Sequence, residues 1–237
     1  STLDNQDVEV IHDRIKNGAN LLDDHVFQFD FLNDDFKKLP KPLLDIINDP
    51  LKREKLIIYI NPPYAEAGST KQKTAKTGVS NENETHKKYH SLLTAFAKRE
   101  IYVQFLTRIY VEIPNSRIAI FSKLKNLQSS YFSDFRKLFS ARLERLFLVP
   151  ADTFDNVKGQ FPIGFSIWNT KEKERFESFK ADIYDRDEQF VGTKSIYSYD
   201  NEKFINDWLR PTWKNNKETI GFLACNGNDF GNQNGIF

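Results

Sequence analysis

Several things are scarce in this chain, and each scarcity closes off a class of protein. There is one cysteine, Cys225, among 237 residues. A lone thiol cannot form an internal disulfide, which rules out a small disulfide-built scaffold and favours a reducing, cytoplasmic setting. No apolar run approaches the roughly 18 residues that a membrane-spanning helix needs, and the opening residues do not read as a secretory leader, so no membrane partner is expected. Methionine is absent altogether, and with Ser1 in first place further residues are expected upstream. Histidines number four. His86 and His90 stand at i, i+4, but no Glu lies between them and no third ligand follows, so they read as exposed loop residues and no metal site is expected.

What is present fits a globular protein with a real core. Apolar residues make up 39% and charged residues 28%, and the 21 Phe make the core aromatic. The net charge of +1 hides an uneven distribution. Residues 1–60 carry 8 basic and 12 acidic side chains, residues 61–149 carry 15 and 7, and residues 150–237 carry 11 and 14. The middle stretch is therefore strongly basic, which suits a polyanionic partner, although a solvated lysine-rich surface is the plain alternative.

Short apolar strands alternate with helical patterns, which predicts an α/β fold with a largely parallel sheet. Strands are expected at His25–Phe31 ("HVFQFDF"), Leu56–Ile60, Arg117–Ser122, Leu143–Val149 and Phe161–Ile167. Helices are expected over residues 90–113 and 129–140. Residues 66–90, "EAGSTKQKTAKTGVSNENETHKKYH", hold five Lys and almost no apolar side chain. No packed core can come from such a composition, so a long surface loop is expected there. Beyond Lys171 the charge density rises and the periodicity fades.

One stretch stands out. The strand "LIIYI" at 56–60 runs into "NPPY" at 61–64. In open α/β sheets, ligands lie beyond the carboxyl ends of the strands, and Asn61 would be delivered there. Pro62 fixes its own φ and biases Asn61 away from helical geometry, and Pro63 restricts Pro62 in turn. The Asn61 amide oxygen and the Pro62 carbonyl become two rigid acceptors, with an aromatic face at Tyr64. That set suits a planar ring carrying an exocyclic NH2. Accepting both N–H bonds pulls the nitrogen toward a tetrahedral shape and frees its lone pair for attack, without a charged base. The plain alternative is an Asx-Pro turn that caps a strand.

On these residues the sequence resembles the N6-adenine DNA methyltransferases of gamma-type motif order, which use S-adenosylmethionine and include the methylases of restriction-modification systems. "NPPY" matches that family's catalytic motif. Asp30-Phe31 matches its acidic residue for the cofactor adenine amino group, followed by an apolar wall. Asp4 matches the acidic residue at the end of the second strand that holds the ribose hydroxyls. "DTFDNVKGQFPIGFSIWN" is similar to the segment whose aromatic residue, here Phe154, stacks on the flipped target base opposite Tyr64.

The resemblance implies a doubly wound, mostly parallel sheet of the S-adenosylmethionine-dependent methyltransferase type over residues 1–170. An extension at 171–237 would lead toward a DNA-recognition region. It implies catalysis by Asn61, Pro62 and Tyr64, a cofactor site at Asp4, Asp30, Phe31 and Asn61, and a target base between Tyr64 and Phe154. Lys71, Lys73, Lys76, Lys87 and Lys88 would hold phosphates of double-stranded DNA, and a specificity or nuclease subunit or domain is an implied partner. The sequence departs from the family at one place. The Gly-rich cofactor loop should precede Asp4, and only three residues do, so the resemblance implies an upstream segment, a chain that does not bind the cofactor, or a displaced loop near Gly227. Two rival readings stay open: a protein-glutamine methyltransferase, whose family shares "NPPY", and a DNA-binding scaffold without catalysis.

Overall fold

The computed structural model describes residues 4–62, 83–93, 96–154 and 161–200. Its helices are α1 (Asn5–Lys16), α2 (Lys41–Asn48), α3 (Pro50–Arg53), α4 (Glu84–Tyr89), α5 (Ile101–Glu112), α6 (Lys125–Gln128) and α7 (Ser133–Leu138). Its strands are β1 (Ile57–Ile60), β2 (Arg117–Lys123), β3 (Ala141–Pro150), β4 (Pro162–Lys173), β5 (Ser178–Tyr184) and β6 (Phe190–Tyr197). The six strands form one sheet in the order β1-β2-β4-β3-β5-β6.

The sheet is mixed. β1 runs parallel to β2 and β3 runs parallel to β5, but β4 is antiparallel to both of its neighbours and β6 is antiparallel to β5. The α/β class holds, and the mostly parallel arrangement does not. The reason lies in the connections. The segments joining β3 to β4, β4 to β5 and β5 to β6 carry no helix longer than a single 3-10 turn among the described residues, and parallel neighbours need a crossover of a dozen residues or more.

Period-two alternation sends Ile58, Ile60, Ile118, Ile120, Leu148 and Trp168 to one face of the sheet. There they join the main core with Tyr102, Val103, Leu106 and Ile109 of α5 and with Phe132, Phe135 and Phe139 around α7. Gly164 of β4 lies under the Leu124 side chain, whose Cδ2 would sit 2.7 Å from any Cβ at that position, so a larger residue there would make Leu124 shift.

Buried polar groups on this side are tied to one another. Arg136 of α7, with 2% of its side chain exposed, forms an ion pair with Asp200 and donates to the Asn126 carbonyl at 3.0 Å. The described residues up to Asp200 belong to one compact unit.

Several local expectations are corrected. His25–Phe31 is no full strand: Asp23–His25 is a 3-10 turn, Gln28 makes a lone bridge, and the chain turns at residues 31–33. The Asp30 carboxylate accepts from the backbone N–H groups of Leu32 and Asn33, which bends the segment where a strand would continue. The long helix at 90–113 is α5 preceded by two 3-10 turns, because Glu100 has extended backbone geometry, and Leu92 and Phe96 are exposed rather than buried. The helix at 129–140 shortens to a 3-10 turn and α7.

The polar stretch at 66–90 also contains more order than its composition suggests. Residues 66–82 lie outside the described residues, but Glu84–Tyr89 is helical. Asn83 caps it by accepting from the His86 N–H, and Thr85 and Tyr89 are buried. β5 and β6, absent from the sequence reading, were illegible because Ile196 alone is buried along β6.

Candidate active site

β1 is two isoleucines, a tyrosine and an isoleucine, a run that favours the pleated conformation. It stands at one end of the strand order, and at its carboxyl end the chain passes into Asn61, exposed, and Pro62, buried. Both border a cavity of about 800 Å3. Leu56 to Ile60 line it together with Phe27, Phe29, Asp30, Phe31, Leu32 and Phe36. Ile101 and Phe105 of α5 also line the cavity. Two segments that the sequence singled out separately, Asp30-Phe31 and Asn61-Pro62, thus face a common space. Its size falls within the roughly 300–1,000 Å3 of small-molecule sites, and the mixture of apolar walls and few polar groups is of the usual kind.

The acidic turn is held from several directions. One oxygen of Asp30 accepts from Leu32 N at 3.0 Å and Asn33 N at 3.2 Å, and the other accepts from Asn33 Nδ2 at 2.7 Å. A carboxylate has about four lone-pair positions, so these three bonds leave capacity on the second oxygen for a further donor. Asp34 accepts from the Asp30 N–H at 2.9 Å, and its hydrogen bond with Lys38 holds its carboxyl below the ordinary range. Phe31 stacks on Phe105 with ring centroids 4.9 Å apart and planes 8° from parallel. The guanidinium of Arg108 lies over the Phe31 and Phe36 rings at 5.3 and 4.3 Å.

Not every expected residue joins the cavity. Asp4 is the N-cap of α1, where its carboxylate accepts from the Gln6 N–H at 2.9 Å, and the strand expected before it would fall on residues outside those described. The acidic side chain of α1 that does line the cavity is Asp7, one turn further along. Its signal was its i+3 spacing from Asp4, which places the two on one side of α1.

Phe154 lies at the end of a 3-10 turn after β3, its ring edge-on to Phe121 at 5.2 Å, and does not line the cavity. Lys87 is paired with Glu84 at 2.6 Å and Lys88 with Glu112 at 2.9 Å, so both project from α4 as paired surface charges. Tyr64, Lys71, Lys73 and Lys76 fall outside the described residues.

Arg108 is the residue that sequence reasoning missed. It sits in the apolar run of α5, "FLTRIY", and is 6% exposed. A charge inside an amphipathic helix at a position flanked by buried side chains was the available signal, since such charges persist only when paired.

No family model matches the chain, and no curated protein does. Solved structures align with it at low identity. The chain is similar to the type I restriction-modification system methyltransferase subunit from Streptococcus thermophilus, at 17% identity and a TM-score of 0.40, over 79% of this chain and 35% of that one. It is similar to a modification subunit of a putative type I restriction enzyme from Vibrio vulnificus YJ016, at 15% identity and a TM-score of 0.34, over 69% of this chain and 32% of that one. A DrdV–DNA complex aligns at 13% identity and a TM-score of 0.41, over 76% of this chain and 19% of that one. The chain spans about a third or less of the length of these proteins. The scores are too low to carry an argument, so the functional reading rests on the motif and the cavity.

Proposed function

We propose that this chain is part of a DNA adenine-N6 methyltransferase of a restriction-modification or similar phage-defence system. The observation that carries the reading is the shared cavity: the Asn61-Pro62 end of β1 and the Asp30-Phe31 turn border one space. The fit to S-adenosylmethionine is chemical. Aromatic walls at Phe31 and its neighbours suit a purine, the unused capacity of the Asp30 carboxylate suits its amino group, and Asp7 adds a second acidic group on the lining. The bound cofactor would supply an electrophilic methyl group on a sulfonium.

In this reading the target adenine leaves the duplex, at an unstacking cost of a few kcal/mol. Asn61 Oδ1 and the Pro62 carbonyl accept its two N6–H bonds and draw the nitrogen toward tetrahedral geometry. With the methyl donor bound, the N6 lone pair would take the methyl group as the donor's S–C bond broke, and the methylated N6 would release one proton to solvent. The protein contributes position rather than a charged base. Tyr64 and Phe154 are the stacking residues of this proposal, Asp30, Phe31 and Asn61 are its cofactor residues, and Asp4, which caps α1 away from the lining, is left out of the cofactor set. Lys71, Lys73, Lys76, Lys87 and Lys88 hold DNA phosphates without regard to sequence. The base readout belongs mostly to a recognition region, subunit or domain beyond Lys171.

The test is Asn61→Ala in the complete protein. The side chain accepts from the reacting nitrogen mainly in the transition state, so kcat should fall by at least roughly a hundredfold while duplex affinity stays near that of the parent. Labelled-methyl transfer to duplex DNA measures the first and a mobility-shift titration the second. Near-normal turnover in the variant would remove Asn61 from the mechanism.

A further inference from the structure

The turn that carries Asp30 and Phe31 is hydrogen-bonded by one side chain of α5, and that side chain has no role in the mechanism above. Arg108 Nη1 donates to the Phe31 carbonyl, and Nη2 donates to the Asp34 carbonyl at 2.7 Å. The same guanidinium lies over the rings of Phe31 and Phe36, and Phe31 also stacks on Phe105 with ring centroids 4.9 Å apart. Arg108 is itself held. Its Nε donates to Glu112 Oε2 at 3.3 Å, and Glu112 accepts in turn from Lys88 at 2.9 Å and from the Tyr89 hydroxyl. Burial pushes the Glu112 carboxyl up, but Tyr89, Lys88 and the charge of Arg108 outweigh it and hold it below the ordinary range.

We infer that Arg108 is the positioning residue of the purine-binding half of the cavity. The inference rests on the cofactor reading given above and adds a residue that the motif resemblance did not assign. The physical argument is rigidity at two points. A planar guanidinium has a fixed fork of donors, so bonding two carbonyls three residues apart in the turn sets the direction of the backbone between them. Asp30 precedes that backbone by one residue, and its carboxylate is oriented by Leu32 N and Asn33 N within it. The Phe31 ring is fixed at the same time, packed against Phe105 and covered by Arg108. Lysine could reach one carbonyl as a point charge but could not reproduce the fork or the stacking.

The consequence is selective rather than general. Without Arg108, a purine could still enter the cavity and Thr85 would still hold the Leu32 carbonyl, but the Phe31 and Asp34 carbonyls would lose their anchor and the Asp30 carboxylate would be held less firmly toward the purine amino group. The complete protein should be titrated calorimetrically with S-adenosylhomocysteine and with S-inosylhomocysteine, which carries an oxygen in place of the amino group. The parent should prefer the adenosyl compound by roughly tenfold or more, the worth of one hydrogen bond to a charged acceptor. Arg108→Met should bind the adenosyl compound about tenfold more weakly and retain a preference of no more than about twofold. Arg108→Lys should fall between the two.

Glu112→Gln, which loosens Arg108 without emptying its space, should move the preference in the same direction. The thermal midpoint is followed for each variant, because a merely structural loss lowers stability and weakens both ligands alike. A folded Arg108→Met protein that keeps the parental preference would overturn the inference and leave the cofactor reading standing. A parent protein that binds neither compound would overturn the cofactor reading, and the inference with it.

Discussion

The two faces of the sheet are built from the same alternating strands and have different fates. On one face, Ile118, Ile120 and Trp168 are 0–2% exposed beneath α5 and the segments around α7. On the other, aromatic rings run from strand to strand: Tyr59 of β1 meets Phe121 and Phe165 at 6.5 and 6.4 Å, Phe147 stacks on Phe165 at 5.1 Å, and Tyr184 and Phe190 continue the line at 5.8 Å per step. Phe121, Phe165 and Phe147 share one register row. Yet Tyr59 is 62% and Phe190 59% exposed, and the ring contacts along this row come from strand residues and Phe154 alone among the described residues. Aromatic enrichment makes a strand, but what lies over a face depends on other parts of a protein. A row of rings that pack edge-on to one another also hides part of its own area without any cover.

The largest effect should come from the covered face. Trp168→Ala removes a side chain that is 2% exposed, touches Phe139 and Phe176, and donates to Ser166 Oγ at 2.8 Å. A loss of about 3–5 kcal/mol is expected, read from the urea midpoint. A loss under about 1 kcal/mol would mean that this face is less tightly packed than described.

A smaller effect should appear with acid, through the groups that tie the covered face together. Burial pushes the Asp200 carboxyl up, but its hydrogen bonds with Arg136 and Arg175 outweigh this and hold it below its ordinary 3.8, just as Glu112 lies below 4.5. Both folded values lie under the unfolded ones. Their contribution is therefore complete above about pH 4.5 and is lost as pH falls through the folded values. Asp200→Asn should flatten the fall in unfolding free energy below pH 4.5, measured by urea titration at a series of pH values. An unchanged acid slope would show that Asp200 is not ionised against Arg136 in the folded protein.

The smallest effect is expected on the open face. Phe190→Ser, at the end of the aromatic row, should change stability by no more than about 0.5 kcal/mol. A cost near that of Trp168→Ala would show that Phe190 is covered in solution.

The same contrast explains what the sequence disclosed. β1 and β2 were legible because continuous runs of Ile with Tyr or Phe leave few other readings. The placement of Asn61 after β1 followed from where that run ends. β5 and β6 were not legible, since Lys180 and Asp182 alternate with the inward side chains of β5 and a single Ile196 is buried in β6. The segment at 25–31 has a strand-like composition, but Asp30 bonds its own downstream amides, and a local side-chain bond overrode propensity. Lys41 to Asn48 was missed as a helix because Pro42 reads as a breaker, whereas at the first helical turn it costs nothing. The cavity could be inferred only in part. Asp30-Phe31 and Asn61-Pro62 were each visible, but Asp7 and Arg108 reach this region through helices whose packing no linear pattern specifies.

The central claim concerns which atom receives the methyl group. The complete protein would be incubated with S-adenosylmethionine and duplex DNA containing all target contexts, and the DNA digested to nucleosides for mass spectrometry. The account predicts N6-methyl-2′-deoxyadenosine as the sole methylated nucleoside with the parent protein, and its disappearance with Asn61→Ala. Methyl groups on cytosine, on protein glutamine instead of DNA, or on adenine at an undiminished level in the Asn61→Ala protein would contradict it.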